Sequence, residues 1–253
     1  MKCVTMFRQG SHRWLAVTGD PGSGGKAVDT NQFVVAAGNS GMLLDPGGIE
    51  VFPAALSALT QEIDIDDIHY ILLSHQDPDV GSALPLWRRV CRPDVTLLVS
   101  SLWTGFYAHV DAAAEITPIP DEGTRVKLGE DVTLQLVPAH YLHSAGNFHV
   151  YDPEARILFS GDVGAALLPK QALDTFYVTD FAHHIPYMEG FHRRWMGSPA
   201  ARDAWVSLVS RLDVKVMAPQ HGLAMRGDDV KRFLDWFAKL ELGSGVAAMR
   251  AER

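Results

Sequence analysis

Apolar residues fall along the chain in short runs separated by turn-forming residues, and the runs alternate between strand-like and helix-like spacing. Phe33-Val34-Val35-Ala36-Ala37 and Gly41-Met42-Leu43-Leu44-Asp45 predict two strands, with Gly38-Asn39-Ser40 as the hairpin turn between them. Asp45-Pro46-Gly47-Gly48 then breaks the chain before a predicted helix, Phe52 to Ile63, whose Leu56, Leu59 and Ile63 share a face. Ile71-Leu72-Leu73 predicts a buried strand. A helix is expected from about Gly81 to Val90, with Leu84 and Trp87 at helical spacing. Thr96 to Ser100 predicts another strand, and Leu102 to Val110 another helix. Strand–helix alternation of this kind favours a layered α/β fold.

The second half repeats the scheme. Val126 to Pro138 holds two strand-like runs around Gly129-Glu130-Asp131, and Phe148 to Tyr151 with Arg156 to Ser160 predicts a hairpin about Asp152-Pro153. Ser198-Pro199 supplies a cap and a first-turn proline for an amphipathic helix through Trp205, Leu208, Val209 and Leu212. Val214 to Ala218 predicts a strand, and Asp228 to Leu240 a last helix with Val230, Phe233, Leu234 and Phe237 on one face. Two stretches show no clear period. One is the polar, glycine-rich run Gly19 to Gly25. The other lies between Asp162 and Ser198; it reads as plain surface or as a lid that brings His184 or Tyr187 to a bound ligand. No linker divides the halves, so residues 1–253 are expected to form one domain.

Composition narrows the class. At 253 residues and 47% hydrophobic, the chain can bury a full core. A formal charge of −8 argues against nucleic-acid and anionic-membrane partners. Cys3 and Cys91 form no CxxC pair, so neither a disulfide framework nor a thiolate zinc site is indicated. Met1 to Trp14 lacks the apolar core of a signal peptide, and no run approaches the ~20 apolar residues that span a bilayer. The expectation is a soluble cytoplasmic protein.

The candidate chemistry sits at strand ends. Directly after Ile71 to Leu73 come His75, Asp77 and Asp79, at every second position; such residues point the same way while the backbone stays extended. Pro78 keeps Asp77 out of the α region and is expected to end the strand there. Three further strand ends carry ligand-type side chains: His140 and His143 in the run from Pro138 to Asn147, Asp162 after Ile157 to Gly161, and His221 after Met217 to Gln220. Each alone reads equally well as a polar turn or a hydrogen-bonded histidine. Together, in a layered α/β fold where loops converge at strand carboxyl ends, they point to a metal centre.

The order His75-x-Asp77-x-Asp79, His143, Asp162, His221 resembles the metallo-β-lactamase superfamily. There the pattern is His-x-His-x-Asp-His, a His before a Gly-containing turn, Gly-Asp at a strand end and a late His. His143-Ser-Ala-Gly-Asn and Leu158-Phe-Ser-Gly-Asp162 stand at the corresponding places. The resemblance implies an α/β fold, the αβ/βα four-layer sandwich of that superfamily. Asp77 puts a carboxylate where hydrolases have their second His. This is similar to the diiron branch, the flavodiiron oxygen and nitric-oxide reductases and the stand-alone oxygen-binding diiron proteins. Added carboxylate oxygens suit iron. Carried over, His75, Asp77 and His143 hold one metal, Asp79 and His221 the other, and Asp162 bridges; His140 is then a neighbour that orients a ligand or moves a proton. Two residues depart from the pattern. Asp77 is shorter than the diiron branch's Glu, and Val80 replaces the closing His, leaving the second metal an open or water-filled position or else weakly bound.

The function this implies is a nonheme diiron protein that binds, and in the presence of a separate electron-donor protein reduces, dioxygen, nitric oxide or peroxide. Two iron ions are the expected cofactors, with zinc or manganese as alternatives. No flavin domain is expected in this chain, and a homodimer fits the resemblance. The sequence leaves oxidoreductase and oxygen sensor both open. The competing reading is a dizinc hydrolase that uses metal-bound hydroxide on an ester, thioester or lactone. A third is a scaffold that keeps the fold with a vestigial site.

Overall fold

The computed structural model describes residues 1–19, 28–169 and 175–250. The glycine-rich stretch that follows Gly19 lies outside the described residues. The first sheet holds β1 (Lys2–Gln9), β2 (His12–Thr18), β3 (Gln32–Ala37), β4 (Ser40–Leu44), β5 (Ile68–Leu72), β6 (Thr96–Ser100) and β7 (Glu115–Ile119), in that spatial order. Strands β1 to β4 form an antiparallel meander, and β4 to β7 run parallel. Parallel neighbours need crossovers. These carry α1 (Phe52–Leu59), α2 (Pro78–Gly81), α3 (Leu84–Val90) and α4 (Thr104–Tyr107).

The second sheet has β8 (Thr124–Leu128), β9 (Val132–Pro138), β10 (Phe148–Asp152), β11 (Ile157–Phe159), β12 (Val216–Ala218) and β13 (Met225–Arg226), ordered β13-β12-β11-β10-β9-β8. Its only parallel pair among the described strands is β11–β12. The long connection between them carries α5 (Phe181–Trp195) and α6 (Pro199–Val209), while α7 (Asp228–Phe237) and α8 (Gly245–Arg250) follow β13.

Period-two alternation sorts each strand's side chains between layers. Tyr70 and Leu72 of β5 turn to the cluster shared by both sheets, with Trp14, Phe33, Leu44, Phe148 and Phe159. Ile71 and Leu73 turn the other way, onto Leu59, Leu84 and Trp87. On the far side, Val137, Tyr151, Leu158 and Met217 meet Met188, Trp205, Phe233 and Phe237. The order is therefore helix, sheet, sheet, helix: the expected αβ/βα sandwich. Both faces of the central strands are dry, which explains their unbroken apolar runs. Among the described residues, no helix is long and apolar enough to cross a membrane.

Several expected elements are shorter, and some were not legible. The helix expected from Gly81 to Val90 divides into α2 and α3 at Ser82 and Ala83, and Leu102 to Val110 is helical only over α4. Over Phe181–Trp195 the segment that shows no clear period is regular structure rather than loop. It is a 15-residue helix, capped by Asp180, whose carboxylate accepts from the His183 N–H at 3.1 Å. The helix buries Phe181, His184, Met188, Phe191 and His192, a proper helical stripe interrupted on paper by two histidines and Pro186. Strands β1 and β7 lie at the two edges of their sheet, where exposed polar positions interrupt any apolar run.

Candidate metal centre

All six expected ligands come from the carboxyl ends of strands, on one end of the sandwich. His75 follows β5; its carbonyl accepts from the Tyr107 hydroxyl at 3.0 Å, and its Nδ1 lies 2.8 Å from Ser74 Oγ. The ring is thereby turned with Nε2 toward Asp77 Oδ2 and Asp162 Oδ2, each 3.7 Å away. Asp77 is extended (φ −67°, ψ 152°) ahead of Pro78, as proline demands. The strand itself has already ended at Leu72, and Asp79 sits in the helical turn α2. The three residues therefore do not share one strand face; the turn sends Asp77 and Asp79 to different partners.

One group comprises His75, Asp77, His143 and Asp162, whose ligand atoms all lie within 4.8 Å of one another. His143 Nε2 is 2.8 Å from Asp162 Oδ2 and 3.5 Å from Asp77 Oδ2. Donors bound to one metal at about 2.1 Å lie about 3–4 Å apart, so the donor set fits a transition metal. A second group adjoins it. His221 Nε2 lies 3.2 Å from Asp79 Oδ2 and 3.3 Å from Asp162 Oδ1. The Nδ1–H of His221 faces the Asp29 carbonyl at 2.9 Å, which leaves Nε2 for the cluster. Asp162 thus turns one oxygen to each group.

The charges have no partners but one another. Among the described residues, Asp77, Asp79 and Asp162 form ion pairs only with imidazoles, none with lysine or arginine. Burial alone would raise the Asp162 carboxyl, yet the surrounding His75, His221 and His143 hold it well below the usual range. Burial opposes charge on His221, but Asp162 and Asp79 raise it well above an ordinary histidine. His143 is raised likewise, against its burial, by Asp162 and Asp77, whereas burial dominates at His75 and lowers it.

Other residues that shape the site carry no motif. Asp45, fully buried, accepts the Ser74 N–H at 2.7 Å and the Ser74 O–H at 2.6 Å, and burial pushes its carboxyl up to about 7. In the sequence it reads only as the start of an Asp-Pro-Gly-Gly turn. Phe191 of α5 packs edge-on to His143 with ring centroids 6.3 Å apart. His149 accepts the Trp205 indole N–H on Nδ1 at 3.0 Å, and burial pushes its pKa down to about 3.

The remaining sequence candidates lie elsewhere. The ring of His140 faces the Asp121 carbonyl, 2.7 Å from Nε2, and the edge of Phe148. His184 is buried in α5 and feels Asp229, with its pKa lowered by burial to about 4. Val80 is wholly buried and belongs to the apolar cluster of Leu73, Val99 and Tyr107. An aliphatic side chain packed in that cluster stands where the superfamily pattern has its closing His.

With this geometry in hand, the chain can be placed among known proteins. Residues 28–222 match the sequence model of the family described as ODP family beta lactamase. The chain belongs to that family. It is 35% identical to a solved structure described as the peroxy diiron species of the chemotaxis sensor ODP, covering 98% of this chain and 99% of that one at a TM-score of 0.87. The apo state of chemotaxis sensor ODP from T. denticola is 34% identical, with 98% of each chain covered and a TM-score of 0.88. A flavo di-iron protein from Thermotoga maritima shares the fold at 21% identity and a TM-score of 0.79, over 94% of this chain and 61% of that one. Diflavin flavoprotein A 1 from Synechocystis sp. is 27% identical over 189 residues, 72% of this chain and 32% of its own length. The chain spans about a third of the length of the curated relatives it matches.

Proposed function

We propose that this ODP-family chain is a nonheme diiron protein that binds dioxygen, nitric oxide or peroxide and acts as a sensor of that ligand. One observation carries the reading: the buried Asp162 carboxylate turns Oδ2 to His143 at 2.8 Å and Oδ1 to His221 at 3.3 Å. That is the arrangement a carboxylate needs to join two metals. His75, Asp77 and His143 would hold one iron, Asp79 and His221 the other, and Asp162 would serve both. Iron held there would supply a redox-active centre able to bind a small oxygen or nitrogen ligand. The chain's residues supply the rest. His75 and Asp162 form a dry floor at 3% and 4% exposure, while the Asp77 and Asp79 side chains, 32% and 40% exposed, leave the solvent side open to a small ligand.

The end-to-end match to a protein described as a chemotaxis sensor with a diiron species supports the sensing role. A reductase role would add electron transfer from a donor to the site, and a homodimer is compatible with either role. Anaerobic Fe(II) loading followed by one pulse of dioxygen tests the proposal. Two irons per chain and a new charge-transfer absorption are expected. No band, together with zinc binding and esterase, thioesterase or lactonase activity, would replace it with the hydrolase.

A further inference from the structure

Resting on the metal-centre reading of the cluster, we propose that Asp45 is a positioning residue for His75: through the Ser74 hydroxyl it keeps the imidazole proton on Nδ1 and leaves Nε2 free for metal. Neither Asp45 nor Ser74 belongs to the ligand set.

The direction of each hydrogen bond follows from the donors available. Asp45 Oδ1 accepts the Ser74 N–H at 2.7 Å, and Oδ2 accepts the Ser74 O–H at 2.6 Å. When Asp45 is ionised, above the value of about 7 to which burial pushes its carboxyl, it has no proton to give, so the hydroxyl hydrogen points at Asp45. Ser74 Oγ then presents only lone pairs to His75 Nδ1, 2.8 Å away. The ring can satisfy this contact only by donating from Nδ1, which in a neutral imidazole makes Nε2 the bare nitrogen. Nε2 is the atom that faces Asp77 and Asp162. A histidine that donates from one nitrogen while the other meets the metal is the usual carboxylate-supported arrangement, here relayed through one hydroxyl.

The backbone is shaped to hold the carboxylate in place. Asp45 adopts φ +48°, in the left-handed region that favours glycine, and its N–H donates to the Leu72 carbonyl at 2.9 Å. The side chain is 0% exposed. A turn that needed only this backbone would carry glycine or asparagine more cheaply. Asparagine, however, would reverse the chain of hydrogen bonds. Its oxygen would take the Ser74 N–H, its NH2 would donate to Ser74 Oγ, and the hydroxyl would then donate to His75 Nδ1. The imidazole proton would move to Nε2, where the metal must bind.

Asp45→Asn therefore separates positioning from mere turn-building. The readout is the 15N spectrum of His75 in metal-free protein, together with anaerobic Fe(II) titration. At pH 8.5, where Asp45 is ionised, the wild type is expected to show the Nδ1–H tautomer. Asp45→Asn is expected to show Nε2–H and to bind Fe(II) 10–100-fold more weakly. Ser74→Ala, which breaks the relay at its centre and leaves the carboxylate, is expected to lose the Nδ1–H preference, and it decides the matter where the Asn variant does not fold. An unchanged Nδ1–H tautomer in folded Asp45→Asn or Ser74→Ala overturns the inference. Wild-type protein with the Nδ1–H tautomer but no Fe(II) affinity would instead overturn the diiron reading and leave the relay standing.

Discussion

The indole N–H of Trp14 donates to Asp152 Oδ2 across 2.6 Å, joining β2 of the first sheet to β10 of the second. Asp152 is fully buried, and the same oxygen lies 2.7 Å from His12 Nε2. Its other oxygen accepts the N–H groups of Glu154 and Ala155. β10 begins beside the candidate ligands, where the Phe148 N–H meets the Ser74 carbonyl, so Asp152 marks the opposite end of the sandwich. Removing one partner of a buried charged pair strands the other, at a cost of about 3–5 kcal/mol. Asp152→Ala is expected to lose that much in urea denaturation while its metal stoichiometry stays at the wild-type value.

The division of Asp162 between two groups predicts an asymmetry among ligand variants. Asp79→Asn removes a group that meets only His221, so metal content after Fe(II) loading should fall to about one equivalent. Asp162→Asn removes the carboxylate common to both and should bring it below one. Elemental analysis after desalting checks both values; equal losses would show that the two groups do not share Asp162.

Much of this candidate site was legible because its candidate ligands stand at fixed places relative to strands. An apolar run such as Ile157 to Phe159 must be a strand, and the polar residue just past it must surface where the loops converge. The family resemblance then ordered the ligands. What stayed hidden depends on burial of polar groups. His184 and His192 count as polar in a periodicity, yet both are buried in α5, His192 because its ring nitrogens meet the Met188 carbonyl and the Gly164 N–H. Asp45 looked like turn punctuation because its partner, Ser74, lies 29 positions away. The spacing of Asp77 and Asp79 misled for a local reason: Pro78 starts a helical turn immediately, so alternation no longer applies.

His184 gives a pH dependence of known sign. Burial lowers its pKa from 6.5 to about 4, and its Nε2 has no hydrogen-bond partner among the described residues. The unfolded chain takes up a proton below pH 6.5 that the folded chain refuses until about pH 4. Stability present at neutral pH is therefore lost on acidification, by about 1.4 kcal/mol per pH unit for this one group. His184→Met, which fills the space without a titrating atom, should be at least as stable at pH 8 and should show a shallower fall between pH 6 and 4.5 in the same denaturation series.

Gly222 sits next to His221 at φ +81°, and a Cβ there would lie 2.8 Å from both the carbonyl oxygen and the methyl of Ala166. The Ala166 N–H in turn contacts the His221 carbonyl at 3.2 Å. Gly222→Ala must displace one of these strands of chain, and the His221 imidazole moves with it. The expected result is a folded protein that keeps its first equivalent of metal and binds the second more weakly, read by competitive chelator titration.

Ownership of the six ligands has a mechanical consequence. His75, Asp77 and Asp79 ride on the first sheet's connections, whereas His143, Asp162 and His221 ride on the second's. Metal bound between them fastens the two leaves at one edge, and Trp14 with Asp152 fastens them at the other. The molecule resembles a book whose spine is permanent and whose clasp is chemical. Metal held by all six would add a tie at that edge to the apolar cluster already packed between the leaves.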